Sequence, residues 1–168
     1  MKHLLLVRHA KSSWDDPEQR DFDRPLNERG KRNASEMGKR LLERHWKTDM
    51  LISSPAKRAI KTARLLARET GYDEDAIVQE MSIYEASIDD LKYIVKVMDE
   101  RVNNVMLVGH NPGMSQLAML LTGNHGLQLP TCGMVAISLR IKHWKELRPD
   151  CGNLLWFDYP KKDPSDPD

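Results

Sequence analysis

Two arginines and two histidines stand directly behind apolar runs, in short motifs that could together handle an anion. Arg8-His9 follows Leu4-Leu5-Leu6-Val7, Arg58 follows Ser53-Ser54-Pro55, and His110 lies in Gly109-His110-Asn111-Pro112 behind Val105-Met106-Leu107-Val108. Guanidinium forks match phosphate oxygens two at a time and never deprotonate. A neutral imidazole nitrogen is a competent nucleophile near neutral pH, and an N–P bond splits one hard displacement into two easier ones. Ser54-Pro55 and Asn111-Pro112 each read as a cap followed by a proline in the first helical position, and a helix N-terminus adds the positive end of a dipole. There is no P-loop, no Gly-x-Gly-x-x-Gly and no acidic Mg²⁺ cluster, so the expected site uses no metal and no cofactor.

The elements that must position these residues are legible as alternating patterns. His3–Val7 reads as a buried strand, and Ala34, Met37, Leu41, Leu42, His45 and Trp46 recur on one face of a helix. Asp49–Ile52 is a second strand, and Ala59, Ile60, Ala63, Leu66 and Ala67 stripe a helix that Gly71 ends. Ile77–Gln79 is a short strand, and Ser87-Ile88-Asp89-Asp90 resembles a capping box ahead of Leu91, Ile94, Val95 and Met98. Val105–Val108 is a strand, a helix runs from Pro112 to Leu121, and Met134–Leu139 and Leu154–Tyr159 are the closing strands. The order β-α-β-α-(β)-α-β-α-β-β implies a three-layer α/β/α sandwich, mostly parallel with an antiparallel edge. Ligands of such sheets bind at the carboxyl ends of the strands. His9 is expected at a solvent-facing strand end. Each motif alone has a structural reading: a packed histidine, a salt-bridged helix arginine, a Gly-His-Asn-Pro turn. Their joint arrival at one sheet edge by separate routes favours a site.

Composition bounds the class. The chain has 168 residues, 40% hydrophobic and 30% charged, with a net charge of +1. That suits one folded domain, expected over 1–160 with a flexible tail over 161–168, and disfavours a nucleic-acid binder, which would carry a basic excess. Leu4–Val7 and Leu117–Leu121 are far short of the roughly 20 apolar residues of a membrane span, and no secretory signal is visible. Cys132 and Cys151 form no disulfide framework, which makes a cytoplasmic setting the default. The oligomeric state is left open, and a monomer suffices.

Val7-Arg8-His9-Ala10-Lys11-Ser12 resembles the Arg-His-Gly signature of the histidine phosphatase superfamily, the phosphoglycerate-mutase-like fold. Ser53-Ser54-Pro55-Ala56-Lys57-Arg58-Ala59 through Thr62-Ala63 resembles its second motif, and Val108-Gly109-His110-Asn111 its third. Asp21-Phe22-Asp23-Arg24-Pro25-Leu26-Asn27-Glu28-Arg29-Gly30 and Leu129-Pro130-Thr131-Cys132-Gly133 resemble the compact SixA branch, the protein-phosphohistidine phosphatases. The resemblance implies that His9 is the nucleophile that becomes phosphohistidine and that Arg8, Arg58 and His110 hold the phosphoryl oxygens. It further implies Arg24 as a substrate-side arginine, with Asn111 and Ser12 as neighbouring substrate contacts. Glu85 lies where larger relatives keep a proton donor; a helix-start carboxylate is the competing reading. Ala10 stands in place of the usual Gly, which is harmless where φ stays negative. Lys11 and Asp15 stand where mutase-type members have Glu and Asn, which argues against mutase activity.

The expected function is a metal-independent phosphatase acting through phosphohistidine on His9. Its expected substrate is a phosphorylated protein, with phosphohistidine ahead of a broad phosphomonoesterase on small molecules or phosphopeptides, and a non-catalytic phosphate-binding module behind both. The interval from Arg58 to His110 holds mainly one helix and two short strands, too little for a lid domain. A shallow roof suits a phosphate presented on a protein surface. Neither a nucleic-acid nor a membrane partner is expected.

Overall fold

The computed structural model describes residues 1–162, so most of the expected tail, from 163 onward, lies outside the described residues. Six strands form one sheet in the order β3-β2-β4-β1-β5-β6: β1 Lys2–Arg8, β2 Met50–Ser53, β3 Val78–Gln79, β4 Asn104–Gly109, β5 Met134–Leu139 and β6 Gly152–Asp158. The pairs β1–β4, β4–β2 and β2–β3 are parallel, whereas β1–β5 and β5–β6 are antiparallel. The expected element order and the antiparallel edge are both present.

Period-two alternation divides the core between the two faces. Leu4 and Leu6 pack with Val105, Leu107 and Ile137 beneath α3 (Ile88–Lys96) and α4 (Gly113–Thr122), where Trp144 is wholly buried. Leu5 and Val7 pack with Met106 and Val108 beneath α1 (Glu28–Glu43) and α2 (Lys57–Thr70). The β1–β4 register sets Arg8 level with Gly109, which makes His9 and His110 neighbours at the sheet edge.

Helix ends follow the caps, with corrections. Asn27 Oδ1 accepts the Gly30 N–H at 2.7 Å and starts α1, while Gly71 in the left-handed region (φ 80°) ends α2. Ser87 and Asp90 form the expected capping box. However, α1 stops at Glu43, His45 turns to φ 58° and Leu42 is exposed, so the buried stripe is Ala34, Met37, Gly38 and Leu41. Ser54-Pro55 does not open α2: the helix begins at Lys57, and the Ser54 hydroxyl instead accepts the Ala56 N–H. Likewise α4 begins at Gly113, after a cis Asn111–Pro112 bond, with Asn111 Oδ1 accepting from the Ser115 N–H. Gly30 carries a close approach, because a Cβ there would lie 2.2 Å from the Lys11 carbonyl oxygen. Cys132 and Cys151 are free and buried. No helix among the described residues is long and apolar enough to cross a membrane.

Candidate active site

His9, Arg8, Arg58 and His110 converge at the carboxyl edge of β1, β4 and β2. His9 is 8% exposed, so the expected solvent-facing strand end is in fact a covered one. Its main-chain N–H donates to Gly109 O and its carbonyl accepts from the Cys132 N–H, which clamp it between β4 and the loop before β5. Its Nδ1 lies 2.7 Å from the Ala10 carbonyl oxygen. A carbonyl only accepts, so Nδ1 carries the proton and Nε2 keeps its lone pair. That Nε2 faces Arg58 Nε at 3.4 Å. Burial lowers the His9 pKa to about 4, and the charges of Arg58 and Arg8 push the same way, so the ring is neutral at physiological pH. Ala10 keeps a negative φ in place of the family's Gly.

Arg58, in the first turn of α2, is held to the nucleophile by Thr62. The buried Thr62 Oγ1 accepts the Ala10 N–H at 3.0 Å and donates to the Arg58 carbonyl at 2.8 Å, which ties the end of β1 to the start of α2. The His110 ring centroid is 5.1 Å from that of His9. Burial, then the charges of His9 and Arg58, drop the His110 pKa to about 3. Its Nε2 is 2.8 Å from Ser54 Oγ. The buried Ser54 hydroxyl accepts the Ala56 N–H and meets no other acceptor among the described residues, so its own hydrogen goes to Nε2 and the His110 proton sits on Nδ1. Arg8 Nη1 donates to Leu129 O at 3.0 Å, and burial lowers its pKa.

Among the described residues, the buried side-chain polar atoms lacking a partner are Arg8 Nε, Arg24 Nε and His110 Nδ1. All three are N–H donors, and unpaired buried donors cost free energy unless an acceptor arrives. The arrangement can therefore receive an oxyanion beside a nucleophilic imidazole. Arg24 is buried, donates to Ser13 O at 3.2 Å and stacks its guanidinium 3.6 Å over the ring of the exposed Trp14.

The remaining expected residues are placed differently. Asn111 donates to Leu129 O and accepts from Ser115, so its amide braces the same loop that holds Arg8. Ser12 bridges Leu26, and its carbonyl accepts from Asn27 at 3.5 Å. Glu85 is exposed in a turn at φ 55°, outside any helix, and forms no hydrogen bond or ion pair among the described residues.

Sequence reasoning overlooked Asp21 and Tyr84. Arg58 donates to the Asp21 carbonyl at 2.7 Å and to its Oδ2 at 3.0 Å, while the Tyr84 hydroxyl donates to that same Oδ2 at 2.7 Å. Burial pushes the Asp21 pKa up, but the bonds from Tyr84 and Arg58 and the nearby Arg58 and Arg24 charges outweigh it and hold it low. Burial and Asp21 raise the Tyr84 hydroxyl to about 12. Phe22 stacks edge-on against Tyr84, and Tyr84 against His110. The roof thus comes from the loop between β1 and α1 as well as from the Arg58–His110 interval where a lid was sought. Asp21 stands three places before Arg24 in the quoted motif, and an arginine with no acid of its own is a cue for such a partner.

Comparison with known proteins agrees with this geometry. A family model described as histidine phosphatase superfamily (branch 1) matches residues 4–92. An uncharacterized chloroplastic protein of Arabidopsis thaliana is 31% identical over 153 residues, 86% of this chain and 70% of that protein. A crystal structure from Agrobacterium tumefaciens, provisionally assigned as the phosphohistidine phosphatase SixA, superposes with a TM-score of 0.80 at 31% identity, covering 95% of this chain and 98% of that one. The protein histidine phosphatase SixA complexed with tungstate shares the fold, with a TM-score of 0.79 at 17% identity over 94% of this chain and 97% of that one. The chain belongs to the histidine phosphatase superfamily, and as a member it is a phosphatase, a hydrolase of phosphoryl groups.

Proposed function

We propose that the chain is a protein phosphohistidine phosphatase that works through a covalent phosphohistidine on His9 and needs no metal. The observation that carries this reading is the set of unpartnered buried donors, Arg8 Nε, Arg24 Nε and His110 Nδ1, beside an imidazole whose Nε2 keeps its lone pair and is met by a long 3.4 Å bond from Arg58 Nε. In the first step the Nε2 lone pair attacks phosphorus, the bond to the substrate nitrogen breaks, and that nitrogen takes a proton from solvent water and leaves as neutral imidazole. Water then attacks the phosphorus of phospho-His9, the N–P bond breaks, and inorganic phosphate departs with Nε2 neutral again. Arg8, Arg58 and His110 hold the three peripheral oxygens, and donors fixed in advance stabilise the charge that builds in transit. Arg24 meets the substrate side, and Ser12 and Asn111 hold the loops bordering it. Imidazole protonates easily as it leaves, so a P–N substrate needs little help from an acid. Glu85, at the rim beside Tyr84, supplies the proton that an ester's alkoxide would require.

The similarity to the Agrobacterium tumefaciens structure supports phosphohistidine on a protein over a small ester. The test is a comparison of kcat/KM on a histidine-phosphorylated protein, a phosphoserine peptide and sugar phosphates, with Arg58→Ala alongside. Phosphohistidine protein should lead by at least tenfold, and Arg58→Ala should cost about 10²–10³ in kcat. Faster turnover of a sugar phosphate would replace this reading with the broad phosphomonoesterase, and p-nitrophenyl phosphate turnover abolished by EDTA would remove the metal-free mechanism.

A further inference from the structure

Beside the phosphoryl site lies a cavity of about 210 Å³ whose charged lining is entirely cationic: Lys11, Arg29 and Lys161, with Asn33, Thr131 and Tyr159 supplying polar groups. None of the three cations forms an ion pair among the described residues, although carboxylates partner many other surface arginines and lysines. The cavity continues the same sheet edge. The phosphoryl site spans the ends of β2, β4 and β1, and the cavity spans the ends of β1, β5 and β6, since the antiparallel β5 starts, and β6 ends, at that edge.

Two routes tie it to the nucleophile. Lys11 lies two residues past His9, so their Cα atoms are within about 7 Å. Thr131 precedes Cys132, whose N–H bonds the His9 carbonyl. Pro130 and Tyr159 also line the open groove that contains Arg8, so the two spaces adjoin. A volume below the roughly 300–1,000 Å³ of small-molecule pockets leaves room for one oxyanion but does not enclose a metabolite.

We infer that this cavity receives a second oxyanion of the substrate, the carboxylate of an acidic side chain within about three residues of the phosphorylated one, a reach of about 10 Å along an extended chain. This deepens the phosphohistidine reading above and rests on it for the identity of the phosphorylated residue. The binding is electrostatic and partly exposed, so each cation contributes modestly and salt weakens it.

The experiment compares kcat/KM on histidine-phosphorylated peptides that carry Glu or Gln at the flanking positions, using the full chain and its Lys11→Gln/Arg29→Gln/Lys161→Gln variant. Wild type should favour the Glu peptides by about five- to tenfold, and the preference should shrink in 0.5 M NaCl. The variant should treat both peptides alike while keeping its rate on the Gln peptide within about twofold. Equal rates on Glu and Gln peptides in wild type, or a preference that survives in the variant, would overturn the inference and leave the phosphohistidine reading standing. A preference for bisphosphates over monophosphates that the same variant abolishes, with no Glu effect, would assign the cavity to small molecules and overturn the protein source. If no histidine-phosphorylated peptide turns over but phosphoserine peptides do, the phosphohistidine reading fails, and the same Glu–Gln comparison on phosphoserine peptides decides the cavity by itself.

Discussion

Acidification should destabilise the protein through His9 and His110 well before its carboxylates titrate. Both imidazoles are buried and neutral when folded, with pKa values lowered from 6.5 to about 4 and about 3. In the unfolded chain each takes up a proton near pH 6.5, so below that pH the unfolded state binds more protons and stability falls as pH falls. The slope is about 1.4 kcal/mol per pH unit for each histidine until the folded pKa is reached. Between pH 7.5 and 4.5 that amounts to about 2–3 kcal/mol from each, a large share of a typical folding free energy of about 5–15 kcal/mol. The assay is urea unfolding at intervals across that range for wild type, His9→Asn, His110→Asn and the double variant. Each single variant should lose less stability than wild type by that amount, and the double variant should lose the least. Inorganic phosphate should flatten the wild-type curve, because a bound dianion favours the charged rings. Parallel pH curves for wild type and both variants would show that these histidines are not buried neutral bases, and the nucleophile's assigned protonation would fall with them.

Three further outcomes follow from single contacts. Thr62→Val strips the Ala10 N–H of its buried acceptor and should cost about 1–3 kcal/mol in urea unfolding, with a fall in kcat as His9 and Arg58 lose their tie; an unchanged midpoint would mean that the tie carries no energy. Gly30→Ala drives a Cβ into the Lys11 carbonyl, and should cost about 1–3 kcal/mol despite alanine's better helix propensity; a stabilised variant would show that the approach relaxes freely. Glu85→Gln should cut phosphoserine or sugar-phosphate turnover by about 10²-fold while leaving phosphohistidine turnover within about twofold, and equal losses on both substrates would remove its role as a proton donor.

Much of the fold was legible because apolar runs and caps are local signals. The run Leu4–Val7, the stripe from Ala59 to Ala67 and the Ser87–Asp90 box each announced an element that the structure contains. Ser54 and Asn111 misled at helix starts for a tertiary reason: the Ser54 hydroxyl serves His110, and the Asn111 amide serves the Leu129 loop. The convergence of Arg8, His9, Arg58 and His110 was readable from strand ends, since parallel register makes those ends neighbours. The Asp21–Arg58–Tyr84 cluster was not, because it joins three segments far apart in sequence through side chains alone. The depth of His9 was also misjudged, since the covering loop from Ser12 to Asn27 has no periodic pattern to betray where it folds.

The central claim is that the phosphoryl group passes through His9 Nε2, and the most direct measurement is capture of that intermediate. Protein mixed with a ³²P-labelled phosphohistidine substrate and quenched in base should retain label that survives alkali, is released by acid, and maps to the peptide containing His9. His9→Ala should hold no label and show no turnover. Acid-stable label on wild type, or full turnover by His9→Ala, would contradict the covalent mechanism.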